Sequence, residues 1–167
     1  MKTLYLIRHA KSSWDEPNQD DFDRPLNKRG KKDAPNMAKR LKEKRVTPDF
    51  MITSPAKRAL DTCQEFTKIL GYDKDKIKTD QRLYHANEDQ ILTVIRELKD
   101  RDGDEEEIVL IFGHNPGLTE FANILLNECI DNIPTCGILK AHLKIDEWKD
   151  ARFGCGQLEF LDSPKNK

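Results

Sequence analysis

The chain has 167 residues and a formal net charge of −1 at pH 7, which suits a single domain with a buried core. The near-neutral charge gives no global reason to expect nucleic acid or an anionic membrane as a partner. No apolar segment approaches the roughly 20 residues that span a bilayer, and the apolar run at the N-terminus is too short for a signal peptide.

The first third of the chain predicts a strand, a helix and a second strand. Residues 3–7 are apolar and partly β-branched, which is typical of a buried strand. After a polar loop, Asn27 is a plausible N-cap for a helix that continues to about residue 45, and Pro35 is expected to kink or divide that helix. The segment "PDFMITSP", residues 48–55, predicts the second strand and a closing turn.

The middle of the chain continues this alternation. A helix is predicted over residues 56–70, followed by a weaker, polar-interrupted strand over residues 77–83. Residues 88–99 place their apolar side chains on one helical face. Residues 108–112 form the most strongly predicted strand, and a helix over residues 117–127 follows a Gly-His-Asn turn.

The last quarter has a different pattern. The segments "GILKAHLKI" and "GQLEFLD" alternate apolar and polar positions, as strands of a half-solvated sheet do. Strands that alternate with helices predict an α/β fold, with a mostly parallel sheet covered on both faces and an antiparallel edge from the C-terminus. We expect one domain over residues 1–161 and a frayed tail over residues 162–167.

The cysteines predict the cellular environment. Cys63, Cys129, Cys136 and Cys155 lack CxxC spacing, and no pair of histidines lies near them at metal-ligand intervals. This usage is typical of reduced thiols, mostly packed in the core. We therefore expect a cytoplasmic protein.

Charge is distributed unevenly along the chain. Residues 24–45 carry ten Lys or Arg against two acids. This segment is either an ordinary solvated helix face or a basic rim that attracts a phosphorylated or acidic partner. The sequence leaves both interpretations open.

Polar side chains stand where three of the predicted strands end. Arg8 and His9 follow the first strand. Arg58 lies about one turn into the helix after the second strand, and His114 follows the strand over residues 108–112. Ligands of open α/β sheets bind beyond the carboxyl ends of the strands, and guanidinium groups match phosphate oxygens in pairs. Taken alone, each residue is typical of a surface or filler position; together they predict an anion pocket.

Three segments resemble a known family. "LIRHA", "SPAKRALDT" and "GHNPGL" are similar to the signature segments of the histidine phosphatase superfamily, and "RHAKSSW" with "DRPLNKRGKKDAP" resembles its small SixA-type phosphohistidine phosphatases. The resemblance covers residues 4–118 in matching order. It implies a three-layer αβα sandwich of the phosphoglycerate-mutase-like type, and a reaction that uses no metal and no other cofactor.

The resemblance also implies roles for individual residues. His9 would be the nucleophile and would become transiently phosphorylated, while Arg8, Arg58 and His114 would bind the phosphoryl group. The arginines are expected to lower the pKa of His9 in the empty site. Gly30 would allow close packing where the first long helix begins.

Other residues are candidates for the rim of the pocket. The sequence allows either contact with the ligand or simple loop packing for Lys11, Ser12, Ser13, Trp14, His85, Glu88, Asp89 and Asn115. Relatives that cleave phosphate esters use a carboxylic acid to protonate the leaving group, either directly after the second histidine or after the third strand. This chain has Asn115 at the first place and "LYHANED" at the second. General acid help is typically worth about 10²–10⁴-fold, but the cleavage of a P–N bond depends on it less.

These observations predict a phosphatase that hydrolyses phosphohistidine. We expect its substrate to be a phosphorylated histidine-containing protein, since short loops would leave the pocket unroofed, and we expect phosphate or sulfate to bind there. No nucleic acid and no membrane are expected as partners. Two alternatives remain, namely a phosphatase or mutase for small phosphate esters and a non-catalytic phosphate-binding adaptor.

Overall fold

The computed structural model describes residues 1–103 and 105–166. One mixed sheet forms its middle layer, and the strands are β1 (Lys2–Arg8), β2 (Phe50–Thr53), β3 (Lys78–Thr79), β4 (Glu107–Gly113), β5 (Ile138–Leu143) and β6 (Gly156–Asp162). Their spatial order is β3-β2-β4-β1-β5-β6. The first four strands pair in parallel, whereas β5 is antiparallel to β1 and β6 is antiparallel to β5.

Helices cover both faces of this sheet. They are α1 (Lys28–Glu43), α2 (Lys57–Leu70), α3 (Glu88–Arg96) and α4 (Gly117–Leu126). Alternate side chains of β1 point to opposite faces, as the pleat of a strand requires. Tyr5 and Ile7 pack with α1 and α2, whereas Leu4 and Leu6 pack with α3 and α4. The predicted three-layer α/β fold with an antiparallel edge is confirmed.

The third strand is shorter than predicted. β3 has two residues, and a 3-10 helix, Gln81–Leu83, replaces the rest of the predicted segment. The Asp80 carboxylate accepts a hydrogen bond from the backbone N–H of Arg82 at 3.0 Å and contacts the Arg82 guanidinium at 2.7 Å. Local side-chain bonds of this kind compete with a strand ladder, so the prediction of a strand to residue 83 is wrong.

The first helix begins as predicted but is not divided. The Asn27 side chain accepts a hydrogen bond from the N–H of Gly30 at 2.9 Å, so the N-cap is confirmed. α1 continues through Pro35 as one element. Pro35 removes one backbone donor, but buried residues on either side, among them Ala34 and Met37, attach the helix to the sheet. Packing therefore outweighs the local defect.

The C-terminal residues contact α1. β6 extends to Asp162, one residue beyond the predicted end of the domain. Arg40 donates hydrogen bonds to the Asp162 carboxylate at 3.0 and 3.1 Å, and to the carbonyls of Ser163 at 2.9 Å and Asn166 at 2.6 Å. Residues 162–166 are thus attached to the helical layer, and Lys167 lies outside the described residues.

The cysteines are free thiols, three of them buried and Cys129 exposed. Within residues 1–103 and 105–166, no group of His, Cys, Asp and Glu is arranged to hold a metal ion. In the same part of the chain, no helix has both the length and the apolar character needed to cross a membrane.

A buried ion pair joins the first residues of β1 and β4. It lies at the amino ends of these strands, opposite the carboxyl ends that His9 and His114 follow. Lys2 and Glu107 are 4% and 3% exposed, and their charged atoms are 2.8 Å apart. Trp148 donates its indole N–H to Glu107 at 2.7 Å, and Asp100 also contacts Lys2 at 2.8 Å. Burial alone would raise the pKa of Glu107, but the hydrogen bonds from Lys2 and Trp148 outweigh it and hold this pKa below its usual range.

Glu107→Gln is expected to lower the free energy of unfolding at neutral pH by about 3 kcal/mol. This is the lower end of the range for breaking a buried pair, because Lys2 keeps Asp100. A depressed carboxyl pKa stabilises the fold above the unfolded pKa of about 4.3 and ceases to do so as the pH falls through the folded value. Urea unfolding should therefore show the difference from wild type shrinking below about pH 4.

The matched control is Glu105→Gln, since Glu105 lies in the same segment with a side chain 90% exposed. Its effect should stay within about 0.5 kcal/mol. Equal stability of Glu107→Gln and wild type at neutral pH would contradict a stabilising role for the pair.

Candidate active site

The pairing of β1 with β4 places the two predicted histidines side by side. Arg8 stands opposite Gly113 in this parallel ladder, and the backbone N–H of His9 donates to the Gly113 carbonyl at 3.1 Å. The centres of the His9 and His114 rings are consequently 5.1 Å apart. Arg58, in the first turn of α2, is buried beside them, and its charge acts on both imidazoles.

The backbone holds the ring of His9. Its Nδ1–H donates to the Ala10 carbonyl at 2.8 Å, which leaves the lone pair on Nε2. The Ala10 N–H in turn donates to the Thr62 hydroxyl of α2 at 2.9 Å. The Ala10 carbonyl therefore sets the tautomer and orientation of the ring, and the bond from Ala10 to Thr62 attaches this segment to α2.

The environment keeps His9 neutral. Its pKa is lowered to about 3, first because the ring is buried and then because of the charges of Arg58, Arg8 and Arg24. The sequence predicts this lowering of the His9 pKa. The main cause differs, since burial lowers this pKa more than any single arginine does.

His114 is held through its other ring nitrogen. Its Nε2 lies 2.7 Å from the Ser54 hydroxyl, and the oxygen of that hydroxyl already accepts a hydrogen bond from the N–H of Ala56 at 3.2 Å. The Ser54 hydroxyl has no other acceptor among the hydrogen bonds of the described residues, and donation of its proton to Nε2 places the ring N–H on Nδ1. Burial, followed by the charges of His9 and Arg58, lowers the pKa of His114 to about 2, so the ring is a neutral donor.

Three buried donors at this edge have no partner. Within the described residues, four buried side-chain nitrogen or oxygen atoms lack a hydrogen bond, and they include Nε of Arg8, Nε of Arg58 and Nδ1 of His114. The fourth is Nδ1 of His142, which lies on β5. Buried polar groups are normally paired, and a tetrahedral oxyanion would supply acceptors for all three donors.

A carboxylate that sequence reasoning missed lies against the site. Asp21 Oδ2 accepts hydrogen bonds from Arg58 Nη2 at 3.0 Å and from the Tyr84 hydroxyl at 2.7 Å. Asp21 Oδ1 accepts one from Arg24 Nε at 3.1 Å. Burial alone would raise the pKa of Asp21, but the donors Tyr84, Arg58 and Arg24 lower it to about 2. The carboxylate is therefore ionised at neutral pH.

The family model described as histidine phosphatase superfamily (branch 1) matches residues 4–88. The chain belongs to the histidine phosphatase superfamily. An uncharacterized protein of Mycobacterium tuberculosis is 30% identical over 170 residues, which cover 95% of this chain and 100% of that protein. A 2,3-bisphosphoglycerate-dependent phosphoglycerate mutase of Bifidobacterium longum is 41% identical over 61 residues, only 35% of this chain and 25% of the mutase.

The fold agrees with that membership. The solved structure of SixA from Agrobacterium tumefaciens, a candidate phosphohistidine phosphatase, superposes with a TM-score of 0.78. It is 26% identical in sequence and covers 97% of each chain. The SixA-type resemblance that the sequence motifs indicate is therefore supported over nearly the whole chain.

The segment after His9 holds a third arginine. Ser12 accepts a hydrogen bond from Arg24 Nη1 at 2.8 Å, and the Trp14 ring covers the Arg24 guanidinium at 3.5 Å. The N–H of Ser13 donates to the Pro25 carbonyl at 2.8 Å. In this structure the two serines thus hold the loop that carries Arg24.

Lys11 contributes its backbone to the same loop. Its side chain is exposed, while its carbonyl accepts the N–H of Asn27 at 3.0 Å. A Cβ at Gly30 would lie 2.1 Å from that carbonyl oxygen. The predicted need for close packing at Gly30 is confirmed.

Asn115 holds a neighbouring loop. Its amide donates to the Ile133 carbonyl at 3.0 Å and to the Asn132 side chain at 2.7 Å, and its oxygen accepts from the Thr119 hydroxyl at 2.8 Å. Arg8 Nη1 donates to the same Ile133 carbonyl at 3.0 Å. Asn115 therefore supports the loop that orients Arg8.

The candidates after the third strand have different positions. The His85 and Tyr84 rings lie against each other at a 37° tilt with centres 4.0 Å apart, and the Tyr84 and His114 rings form a T-shaped contact with centres 5.5 Å apart. Glu88 and Asp89 are instead the first two residues of α3. His85 is thus next to the site through Tyr84, whereas the two carboxylates serve the start of a helix, where acidic residues are favourable.

The missed residues carried faint signals. Ser54 directly follows β2, as His9 and His114 follow their own strands. Asp21 and Arg24 stand three residues apart in "DFDR". The contacts of Asp21 with α2 and with Tyr84 join distant parts of the chain, and local spacing does not show them.

His9 is expected to remain unprotonated on Nε2 from about pH 8 to pH 5, since burial and the arginines hold its pKa at about 3. The ¹⁵N chemical shifts of its ring would show this directly. Arg58→Ala should raise the pKa but leave it below about 6.5, because burial is the larger cause. Lys57→Ala, which replaces the exposed neighbour, should leave the pKa of His9 unchanged. A wild-type midpoint near 6.5 would contradict this account of the site.

Proposed function

We propose that this chain is a metal-independent phosphatase that hydrolyses phosphohistidine on proteins through a phosphorylated His9. The observation that carries the proposal is the convergence of three buried, unpartnered donors beside a histidine whose Nε2 lone pair is free. Membership of the histidine phosphatase superfamily supports phosphatase activity. The resemblance to SixA supports the finer assignment.

In the first step, Nε2 of His9 forms a bond to phosphorus. The P–N bond to the substrate imidazole breaks, and its electron pair stays on the departing nitrogen. Arg8, Arg58 and His114 donate to the phosphoryl oxygens as the group passes in line between the two nitrogens. The ring of phosphorylated His9 is positively charged, and the Ala10 carbonyl accepts its remaining N–H.

In the second step, water attacks the phosphorus of phosphorylated His9. The P–Nε2 bond breaks, its electron pair returns to Nε2, and both protons of the water leave with the product as dihydrogen phosphate. His9 is restored as a neutral ring with its proton on Nδ1. Atoms and charge balance in this two-step route, and neither step requires a metal ion.

The protonation of the side chains around the site favours a P–N substrate over an ester. An alkoxide leaving group needs a proton from an acid, yet the Asn115 amide has no acidic proton and Asp21 is held ionised by three donors. A neutral imidazole leaves without that help. The short connections also favour a protein substrate, since α3 is the one helix among the described residues that lie between Leu83 and Glu107.

Arg58→Ala should reduce kcat/KM by about 10²–10³-fold, the range for one strong transition-state donor. The matched control is Lys57→Ala, which removes an exposed cation one residue away that pairs with Asp61 at 3.2 Å. Lys57→Ala should keep kcat/KM within about twofold of wild type, because surface pairs contribute little. Equal losses in the two variants would argue against a specific role for Arg58.

The function itself is tested with a panel of a phosphorylated histidine protein, an aryl phosphate and sugar phosphates. We expect turnover of the phosphohistidine protein and labelled phosphate trapped on His9, both abolished in His9→Ala with its circular dichroism unchanged. Activity confined to esters would instead identify an ester phosphatase or mutase. Phosphate binding without turnover of any substrate would identify an adaptor.

A further inference from the structure

Asp21 keeps an acceptor position open at the site. A carboxylate oxygen has two lone-pair positions, and those of Oδ2 are used by Arg58 and Tyr84. Oδ1 accepts from Arg24 Nε at 3.1 Å and has one position left. The side chain is 41% exposed, so a bound molecule can reach it.

The burial of the donors indicates where a leaving group would lie. The unpartnered atoms of Arg8, Arg58 and His114 are fully buried, so a phosphoryl group that binds them occupies the inner part of the site. The substituent on phosphorus must then extend outward. Asp21 and Tyr84 are both partly exposed, and they adjoin the site because Asp21 bonds Arg58 and the centres of the Tyr84 and His114 rings are 5.5 Å apart.

A phosphohistidine substrate meets an electrostatic conflict here. Its ring leaves as neutral imidazole only if the distal nitrogen carries a proton, which makes the phosphorylated ring a cation. Positive charges disfavour such a cation, and Arg58, Arg8 and Arg24 all act on the imidazole of His9 in this sense. Asp21 acts on the imidazole of His114 in the opposite sense.

We propose that Asp21 recognises the leaving group, accepting the distal ring N–H of the phosphorylated imidazole and keeping that nitrogen protonated while the P–N bond breaks. This inference rests on the proposed function and names what makes the site selective for it. As Nε2 of His9 bonds to phosphorus, the electron pair of the P–N bond neutralises the cationic ring. The proton stays on the distal nitrogen throughout.

Asp21 therefore replaces an acid without donating a proton. It favours leaving groups that carry a positive charge or an N–H, and it disfavours leaving groups that depart as anions. Its contact with Arg58 also positions that guanidinium for every substrate. The ratio of activities on two substrates separates recognition of the leaving group from positioning of Arg58. Loss of positioning lowers both activities equally and leaves their ratio unchanged.

The test compares phosphoimidazole with p-nitrophenyl phosphate in wild type, Asp21→Asn and Asp23→Asn. Asp23 lies in the same 3-10 helix, Asp21–Asp23, and is exposed, which makes it a matched control. Asp21→Asn should lower the ratio of kcat/KM for phosphoimidazole to that for p-nitrophenyl phosphate by about tenfold or more, since a nearby opposite charge shifts a pKa by about one to three units. Asp23→Asn should leave the ratio unchanged.

Two further measurements keep the inference falsifiable. Asp21→Glu keeps the charge and should recover much of the ratio, while urea unfolding monitors the stability of each variant. With saturating phosphoimidazole, the fall in kcat at high pH should move to lower pH in Asp21→Asn, because the ring of the bound substrate loses its proton sooner. A merely structural role for Asp21 would not produce that shift.

Each outcome is decisive. Equal losses on both substrates in Asp21→Asn would show that Asp21 only holds Arg58, and no loss on either would show no role; both overturn the inference and leave the proposed function intact. If wild type itself hydrolyses p-nitrophenyl phosphate but not phosphoimidazole or a phosphohistidine protein, the proposed function fails together with the inference.

Discussion

The parallel pairing of β1 with β4 is the constraint on which the site depends. It sets Arg8 opposite Gly113 and brings two imidazoles within 5.1 Å of each other in a place where both are almost fully buried. Burial keeps both rings neutral, and a neutral ring is what a nucleophile needs. The carbonyl of Ala10 and the hydroxyl of Ser54 then decide which nitrogen of each ring faces the ligand.

The charges around His9 and His114 decide which leaving group suits the site. Three arginines favour a phosphate dianion and disfavour any cationic imidazole. A single carboxylate, Asp21, bonds two of those arginines and is ionised, so it serves as a counter-charge rather than as an acid. A leaving group that brings its own proton fits this balance better than one that must receive a proton from the protein.

Local patterns were sufficient for much of the fold. Apolar runs placed β1, β2 and β4, the N-cap at Asn27 was visible in the sequence, and the C-terminal alternation indicated the antiparallel edge. The errors came where non-local or side-chain contacts outweighed local preference. Asp80 ended β3 early through its bonds to Arg82, and packing carried α1 through Pro35.

The sequence by itself determined which strands form and that Arg8, His9, Arg58 and His114 stand at or just beyond their carboxyl ends, because strand ends and polar side chains are local properties. Only the tertiary structure decided that Asp21 reaches Arg58 and Tyr84, residues 37 and 63 positions away. It also decided that Ser54 sets the tautomer of His114, 60 positions away. Such contacts arise when separate loops meet at one edge of the sheet, and no local spacing encodes that meeting.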